Sequence, residues 1–106
     1  MKSILKSMLA GAAIILMPAI AEDHLITQKD RAFSEAEISI KRGDSIVFKN
    51  ADEVTHNVFS VSPGMEFDIR RQAPGGSSKI VFSKEGVAEV RCSIHPKMKL
   101  IVTVEK

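Results

Sequence analysis

Apolar residues recur at every second position or in short runs rich in Val, Ile and Phe, and turn-forming residues separate these runs at short intervals. Ile38 and Ile40 share one face of such a run, and Leu100 and Val102 share one face of another. About seven short strands with turns every eight to twelve residues favour a β-sandwich or small barrel over an α/β sheet. The predicted strands and short apolar stretches are residues 36–40, 45–49, 56–61, 67–69, 78–82, 87–91 and 100–105.

The start of the chain differs from this pattern. Two lysines precede an apolar stretch at residues 9–17, and residues 19–21 supply the small-x-small pattern of a cleavage site. The apolar stretch falls short of the roughly 20 residues that a membrane-spanning helix needs. We therefore expect a cleavable secretory signal peptide at residues 1–21, one folded domain at residues 22–106, and a periplasmic mature protein that does not span the membrane.

The charge balance excludes one class of partner. Cleavage after Ala21 removes Lys2 and Lys6 and leaves thirteen basic residues against thirteen acidic ones. A chain without excess positive charge lacks the electrostatic attraction that nucleic-acid binding requires. We therefore expect no nucleic-acid partner.

Cys92 is the only cysteine in the sequence. Exported domains this small normally use paired cysteines as disulfides, and Cys92 has no partner for such a bond within the chain. An unpaired thiol in an oxidising compartment is a bridge between two chains, a reactive liability or a metal ligand. The residues around Cys92 favour the last of these.

The sequence after this cysteine is Cys-x-x-His-x-x-Met, which places His95 and Met98 close behind Cys92, and His56 stands 36 residues upstream. A thiolate, two imidazoles and a thioether are the donors of an electron-transfer copper site, with a weak axial Met. Taken singly, Cys92 and Met98 would be core residues and His95 a surface histidine. Their combination after an export signal predicts one type 1 copper ion.

Two other readings of Cys92 use the same residues. Zinc binds Cys and His well, but thioether is not among its usual ligands and structural zinc sites usually have more thiolates. A nucleophilic Cys92 with a histidine base is conceivable, but the sequence contains no oxyanion-hole or substrate-pocket signature. We therefore expect copper, and we expect that the protein is not an enzyme.

At these positions the sequence resembles the plastocyanin and azurin family of blue copper proteins, and within it the amicyanin and methylamine-utilisation type. The similarity covers nearly all of residues 22–106 and is carried by residues 43–50, by His-Asn-Val at residues 56–58, and by the short loop at residues 92–98. The resemblance implies an all-β, cupredoxin-like Greek-key β-sandwich of about seven to eight strands. It also implies that Asn57 stiffens the ligand loops, and it implies the copper ligands His56, Cys92, His95 and Met98.

The function that follows is electron transfer. A periplasmic blue copper protein would cycle between Cu(I) and Cu(II) and exchange electrons with redox proteins such as a c-type cytochrome or a dehydrogenase or reductase, and we expect it to be a monomer. Lys97 and Lys99 lie where a docking surface is expected, beside His95. The alternatives are a periplasmic copper carrier or sequestering protein that uses the same site, and a cupredoxin-like interaction module in which the metal is incidental.

Cleavage after Ala21 would create a second candidate site. The new amino terminus would be followed by Glu22, Asp23 and His24, so that a histidine occupies the third position. Such an end can bind Cu(II) in a square plane through the terminal amine, two backbone amides and the imidazole. The alternative is that His24 is a polar residue on a frayed terminus.

Overall fold

The computed structural model of this chain describes residues 20–106. The predicted signal peptide lies outside the described residues except for its last two positions. In the described range, no helix is long and apolar enough to cross a membrane.

The described chain folds into an all-β sandwich, which confirms the predicted fold class. Nine strands form a four-stranded sheet in the order β2-β1-β4-β7 and a five-stranded sheet in the order β3-β9-β8-β5-β6. The strands are β1 (Asp23–Lys29), β2 (Ala32–Phe33), β3 (Glu37–Lys41), β4 (Ser45–Asn50), β5 (His56–Ser60), β6 (Phe67–Gln72), β7 (Ser77–Val81), β8 (Gly86–Arg91) and β9 (Lys99–Glu105).

Strands β1 and β2 were not predicted. In β1 the inward positions are Ile26 and Gln28, both fully buried, whereas Leu25 is 61% exposed. A buried glutamine and an exposed leucine hide the alternation that identifies a strand. Strand β1 is instead held in the sheet by pairing with other strands. It pairs in parallel with β4 and antiparallel with the two-residue β2.

Phe48 is at the centre of the core between the two sheets. It is fully buried on β4, and its ring packs against Phe33 at a centroid distance of 6.3 Å and stacks on Phe67 at 5.9 Å. Phe67 lies on β6 of the opposite sheet and also contacts Phe82 at 6.0 Å. The sheets are therefore joined by one aromatic cluster, with aliphatic side chains of β8 and β9 packed around it.

The strand directions divide the sandwich into two ends. Strands β1 and β4 are parallel and both finish at the end where β5 begins with His56. Strand β8 finishes and β9 begins at the same end, so the loop at residues 92–98 lies there. The starts of β1 and β4, with His24 and Asp44, lie at the opposite end, about 17 Å away along a strand of this length.

The aromatic cluster provides a test of this core. We expect Phe48→Ala to lower the free energy of unfolding by about 3–5 kcal/mol, because it removes a fully buried ring that touches both sheets. Val61→Ala, at a position that is 78% exposed, is the control and should change stability by less than about 0.5 kcal/mol. Chemical denaturation of the metal-free variants measures both values, and equal losses in the two variants would contradict this view of the core.

Candidate metal centre

The loop at residues 92–98 and the start of β5 face each other because of strand register. Strand β5 pairs antiparallel with β8 through Phe59↔Arg91 and Ser60↔Val90. Continued beyond Arg91, the same register brings the start of β5 opposite the first residues of the loop. The fold therefore places His56 beside Cys92, although they are far apart in the chain.

Three predicted donors converge on one point. The Nδ1 atoms of His56 and His95 are 3.1 Å apart, and Cys92 Sγ lies 3.8 Å from the first and 3.9 Å from the second. Cys92 is 1% exposed and His56 is fully buried, whereas His95 is half-buried. Two imidazole nitrogens and a sulfur thus form a nearly isosceles triangle with one corner near the surface.

The dimensions of this triangle fit a metal ion. An ion in its plane and about 2.0 Å from each nitrogen, the usual distance between a metal and an imidazole, lies about 2.3 Å from the sulfur, which is a normal metal to thiolate distance. The two imidazole rings are inclined at 63°, and the distances above show that each has its Nδ1 atom at this point. The donors are a thiolate and two imidazoles in one plane, which is the equatorial set of a type 1 copper site.

Met98 lies at the end of the same loop. Its backbone N–H donates to the carbonyl of His95 at 2.9 Å, which closes a turn, and its side chain is buried in the cluster that also contains Cys92. A thioether held in this way is available as the fourth donor of the set.

Asn57 joins the two segments that carry the donors. Its side-chain oxygen accepts the hydroxyl of Ser93 at 2.8 Å and the backbone N–H of Ser93 at 3.3 Å. Its own backbone N–H points at Cys92 Sγ at 3.4 Å. These contacts fix the loop against β5 at the cysteine, and the stiffening of the ligand loops by Asn57 stays a prediction.

The side-chain amide of Asn57 is held in turn by β6. Its Nδ2 donates to Asp68 Oδ1 at 2.9 Å and to the carbonyl of Arg70 at 3.1 Å. The pairing of β5 with β6 shifts register between Asn57 and Phe59, and Arg70 has a positive φ of 60°. The contacts of Asn57 with Asp68 and with the Arg70 carbonyl were not predicted from the sequence, because such a bulge has no clear signature.

A carboxylate lies behind the buried imidazole. Asp52 Oδ2 is 2.9 Å from His56 Nε2, on the side of the ring away from the triangle. The pKa of Asp52 is held well below its usual range, first by the backbone N–H of Arg31 and then by the ring of His56. The sequence analysis missed Asp52, because a lone acidic residue in a polar loop does not show which way its carboxylate points.

His95 has a different environment. It lies at the edge of a shallow depression of 270 Å³ that is lined by Arg31, Ile94, His95, Pro96 and Lys97. Ile94 is half exposed, and Lys97 and Lys99 are both exposed. Of the predicted docking residues, Lys97 lines this depression beside the accessible ligand, and Lys99 is exposed at the start of β9.

The residues of the second candidate site lie at the opposite end of the sandwich. Asp23 and His24 start β1, and His24 Nε2 is 2.9 Å from Asp44 Oδ2. The N–H of Glu22 donates to Asp44 Oδ1 at 3.0 Å. The hydrogen bonds from His24, Glu22 and Lys41, in that order, lower the pKa of the buried Asp44 carboxyl to about 2. His24 thus lies in the sheet and is not frayed.

Comparison with known proteins agrees with the donor set. Residues 22–105 match the copper binding proteins of the plastocyanin/azurin family. The chain belongs to this family. Its cofactor is copper, which the planar donors described above fit in number, type and spacing.

Relatives and solved structures point the same way. Amicyanin-alpha of Methylorubrum extorquens is 29% identical over 99 residues, which are 91% of this chain and 83% of that protein. The methylamine utilization protein MauL of the same organism is 27% identical over 85 residues, covering 79% and 75%. Among solved structures, a purple cupredoxin from Nitrosopumilus maritimus has a TM-score of 0.70 and 26% identity over 78% of this chain and all of that one.

The thiolate donor provides the first spectroscopic test. We expect copper-loaded, oxidised protein to absorb intensely in the visible region, because Cys92 binds as a thiolate in a trigonal field with two imidazoles. Cys92→Ser should remove this absorption, since a hydroxyl is a poor electron donor to Cu(II). A wild-type protein that binds copper without the band, or a serine variant that retains it, would contradict the assignment.

Proposed function

We propose that this chain is a periplasmic electron-transfer protein in which His56, Cys92, His95 and Met98 bind one type 1 copper ion. The observation that carries the proposal is the triangle of His56 Nδ1, His95 Nδ1 and Cys92 Sγ, with one corner buried and another at the surface. Copper in such a set supplies a one-electron change between Cu(II) and Cu(I). Export through the signal peptide at residues 1–21 belongs to the same proposal.

The residues of the centre have separate roles. Cys92 would hold the copper through its thiolate, His56 would hold it from the buried side, and Met98 would contribute its thioether. His95 provides the exit for the electron, because it is the donor whose ring reaches the surface beside an apolar depression. Asn57 keeps these groups in place between the two oxidation states through its contacts with Ser93 and Cys92.

We infer that the centre does not turn over a substrate. Cys92 and His56 have almost no exposed surface, and Met98 is equally buried, so a small molecule in solution reaches only the edge of His95. A catalytic metal site keeps an open coordination position for substrate or water. The arrangement here instead permits exchange of electrons through a ligand.

The charges at the His95 end favour an acidic partner. Arg31 and Lys97 line the depression, and Lys99 is exposed at the start of β9. A redox protein such as a c-type cytochrome, dehydrogenase or reductase, with acidic residues around an apolar contact, would be steered to this surface. The protein itself would act as a monomer.

The decisive experiment separates electron transfer from copper delivery. Reduced protein is mixed in a stopped-flow instrument with an oxidised, acidic c-type cytochrome in the presence of a Cu(I) chelator. We expect the cytochrome to be reduced while copper stays on the protein. Capture of the copper by the chelator with no reduction of the cytochrome would establish the carrier function instead.

The same assay tests the docking surface. We expect Lys97→Glu with Lys99→Glu to slow cytochrome reduction at least about threefold at low ionic strength, with the difference shrinking as salt screens the charges. The matched control is Lys84→Glu with Lys106→Glu, which changes net charge equally at the opposite end of the sandwich. Equal slowing in both double variants would show that net charge, and not this surface, governs the rate.

We also propose that a second Cu(II) ion binds at the processed amino terminus. In the square-planar mode the Glu22 amine would have to leave Asp44 Oδ1, and the amides of Asp23 and His24 would have to bind the ion at the start of β1, where these residues pair with β4. A second mode leaves the sheet intact, because Glu22, His24 and Asp44 have donor atoms within 4.8 Å of one another. These three residues also line a depression of 250 Å³ with room for an ion.

Copper titration of the processed protein tests this site. His24→Ala should lose one equivalent of Cu(II) that has a weak spectrum without thiolate absorption, since both modes need the imidazole. Asp44→Asn should keep this equivalent if the ion binds through backbone amides and lose it if the carboxylate is a ligand. Equal stoichiometry in wild type and His24→Ala would remove the proposal.

A further inference from the structure

The carboxylate behind His56 is a feature that the donor set does not require. Asp52 Oδ2 lies 2.9 Å from His56 Nε2, and the Asp52 side chain is only 10% exposed beside a fully buried imidazole. The triangle of donors uses Nδ1 of the same ring. One ring nitrogen of His56 therefore points to the metal position, and the other points to a negative charge that is largely shielded from water.

This carboxylate is held in place by the backbone around it. Oδ2 also accepts the N–H of Arg31 at 2.9 Å, and Oδ1 accepts the N–H of Glu53 at 2.9 Å. The N–H of Asp52 donates to the side chain of Asn50, which is buried and bonded to the carbonyls of Val54 and Gln72. Asp52 is thus oriented toward His56 before any metal binds.

The contact determines the tautomer of His56. An ionised carboxylate can only accept hydrogen bonds, so the ring proton has to be on Nε2. Nδ1 then carries a free lone pair that faces Cys92 and His95. A carboxylate in this position also increases the electron density of the imidazole and makes it a stronger ligand.

The two histidines therefore differ as ligands. In the described part of the chain, no group forms a hydrogen bond with Nε2 of His95, whose ring lies at the rim of the surface depression. Of the two histidine ligands, only His56 forms a hydrogen bond with a carboxylate among the described residues. A stronger and more negative ligand environment stabilises Cu(II) more than Cu(I), because the former ion carries the higher charge.

We propose that Asp52 is a positioning residue that fixes the ligating tautomer of His56 and lowers the reduction potential of the copper centre. The inference rests on the proposed electron-transfer function and adds a residue outside the donor set. The turn at Arg31 contributes through its backbone. The N–H of Arg31 donates to the same Asp52 oxygen that contacts His56 and shields that oxygen from solvent.

The experiment compares two substitutions that remove the same charge from adjacent residues. Asp52→Asn retains shape and an acceptor oxygen, and Glu53→Gln alters an exposed side chain that has no contact with His56. Voltammetry of the copper-loaded proteins should show that Asp52→Asn prefers Cu(I) over Cu(II) about tenfold more strongly than wild type does. This corresponds to a reduction potential about 59 mV higher. Glu53→Gln should change the preference by less than about twofold, because solvent screens its charge.

Arg31→Gly is a second control. Arg31 has a positive φ of 55°, which glycine adopts readily, so this variant keeps the backbone N–H and removes only the guanidinium. We expect its preference for Cu(I) over Cu(II), as measured by the reduction potential, to stay within about twofold of wild type. Only a screened surface charge is lost in this variant. A shift as large as that of Asp52→Asn would assign the effect to surface charge and overturn the proposal.

A measurement on the wild-type protein tests the role of Asp52 even if the variants fail to fold. Proton magnetic resonance of the diamagnetic Cu(I) protein should show the Nε2–H of His56 as a slowly exchanging, hydrogen-bonded signal. Its absence, or equal potentials in Asp52→Asn and Glu53→Gln, would overturn the role of Asp52. A wild type without a reversible one-electron wave would overturn the electron-transfer function itself, so the two failures are distinguishable.

Discussion

The antiparallel pairing of β5 with β8 determines the position of the metal centre, because it brings the start of one strand against the loop that leaves the other. Asn57 extends this pairing beyond the last ladder contact by accepting two hydrogen bonds from Ser93. A shift of one residue in this register would turn His56 away from Cys92. Asn57 is itself fixed against β6 at the bulge, because the carbonyl of Arg70 and the side chain of Asp68 both accept hydrogen bonds from its amide.

Polar residues are buried beneath the centre at a cost to stability that the fold has to compensate. The amide of Gln28 donates to Gln72, and the amide of Gln72 donates to the carbonyl of Phe48. Asn50 is fully buried and connects the loop before His56 to β6. Within the described residues Gln28 Oε1 has no hydrogen-bond partner, whereas the other hydrogen bonds named here pair their buried groups. These paired groups fix one arrangement of the surrounding chain, since a displacement would leave them without partners as well. The aromatic cluster around Phe48 supplies the apolar burial that offsets them.

The fold class and the donor residues that converge at the centre could be predicted from the sequence. The residues that surround and orient these donors could not. Cys92 and His95 share a loop whose spacing is informative, and His56 was recognisable by its chemistry. Strand β1 escaped prediction because it buries Gln28 and exposes Leu25, which inverts the usual pattern. Asp52 escaped because its importance depends on the direction of a carboxylate relative to a ring, and a lone acidic residue in a polar loop does not reveal that direction.

The two sides of the centre have opposite physical requirements, which β5 and the loop at residues 92–98 satisfy together. A site that changes charge by one electron responds best when its ligands move little, which the buried contacts of His56, Asn57 and Cys92 provide. The proposed exchange of electrons with a partner instead requires one ligand near the surface, and His95 lies there because the turn from His95 to Met98 is short. Met98 returns the chain to the core three residues later. The rigidity of the buried side thus permits exposure of the other without loss of the donor triangle.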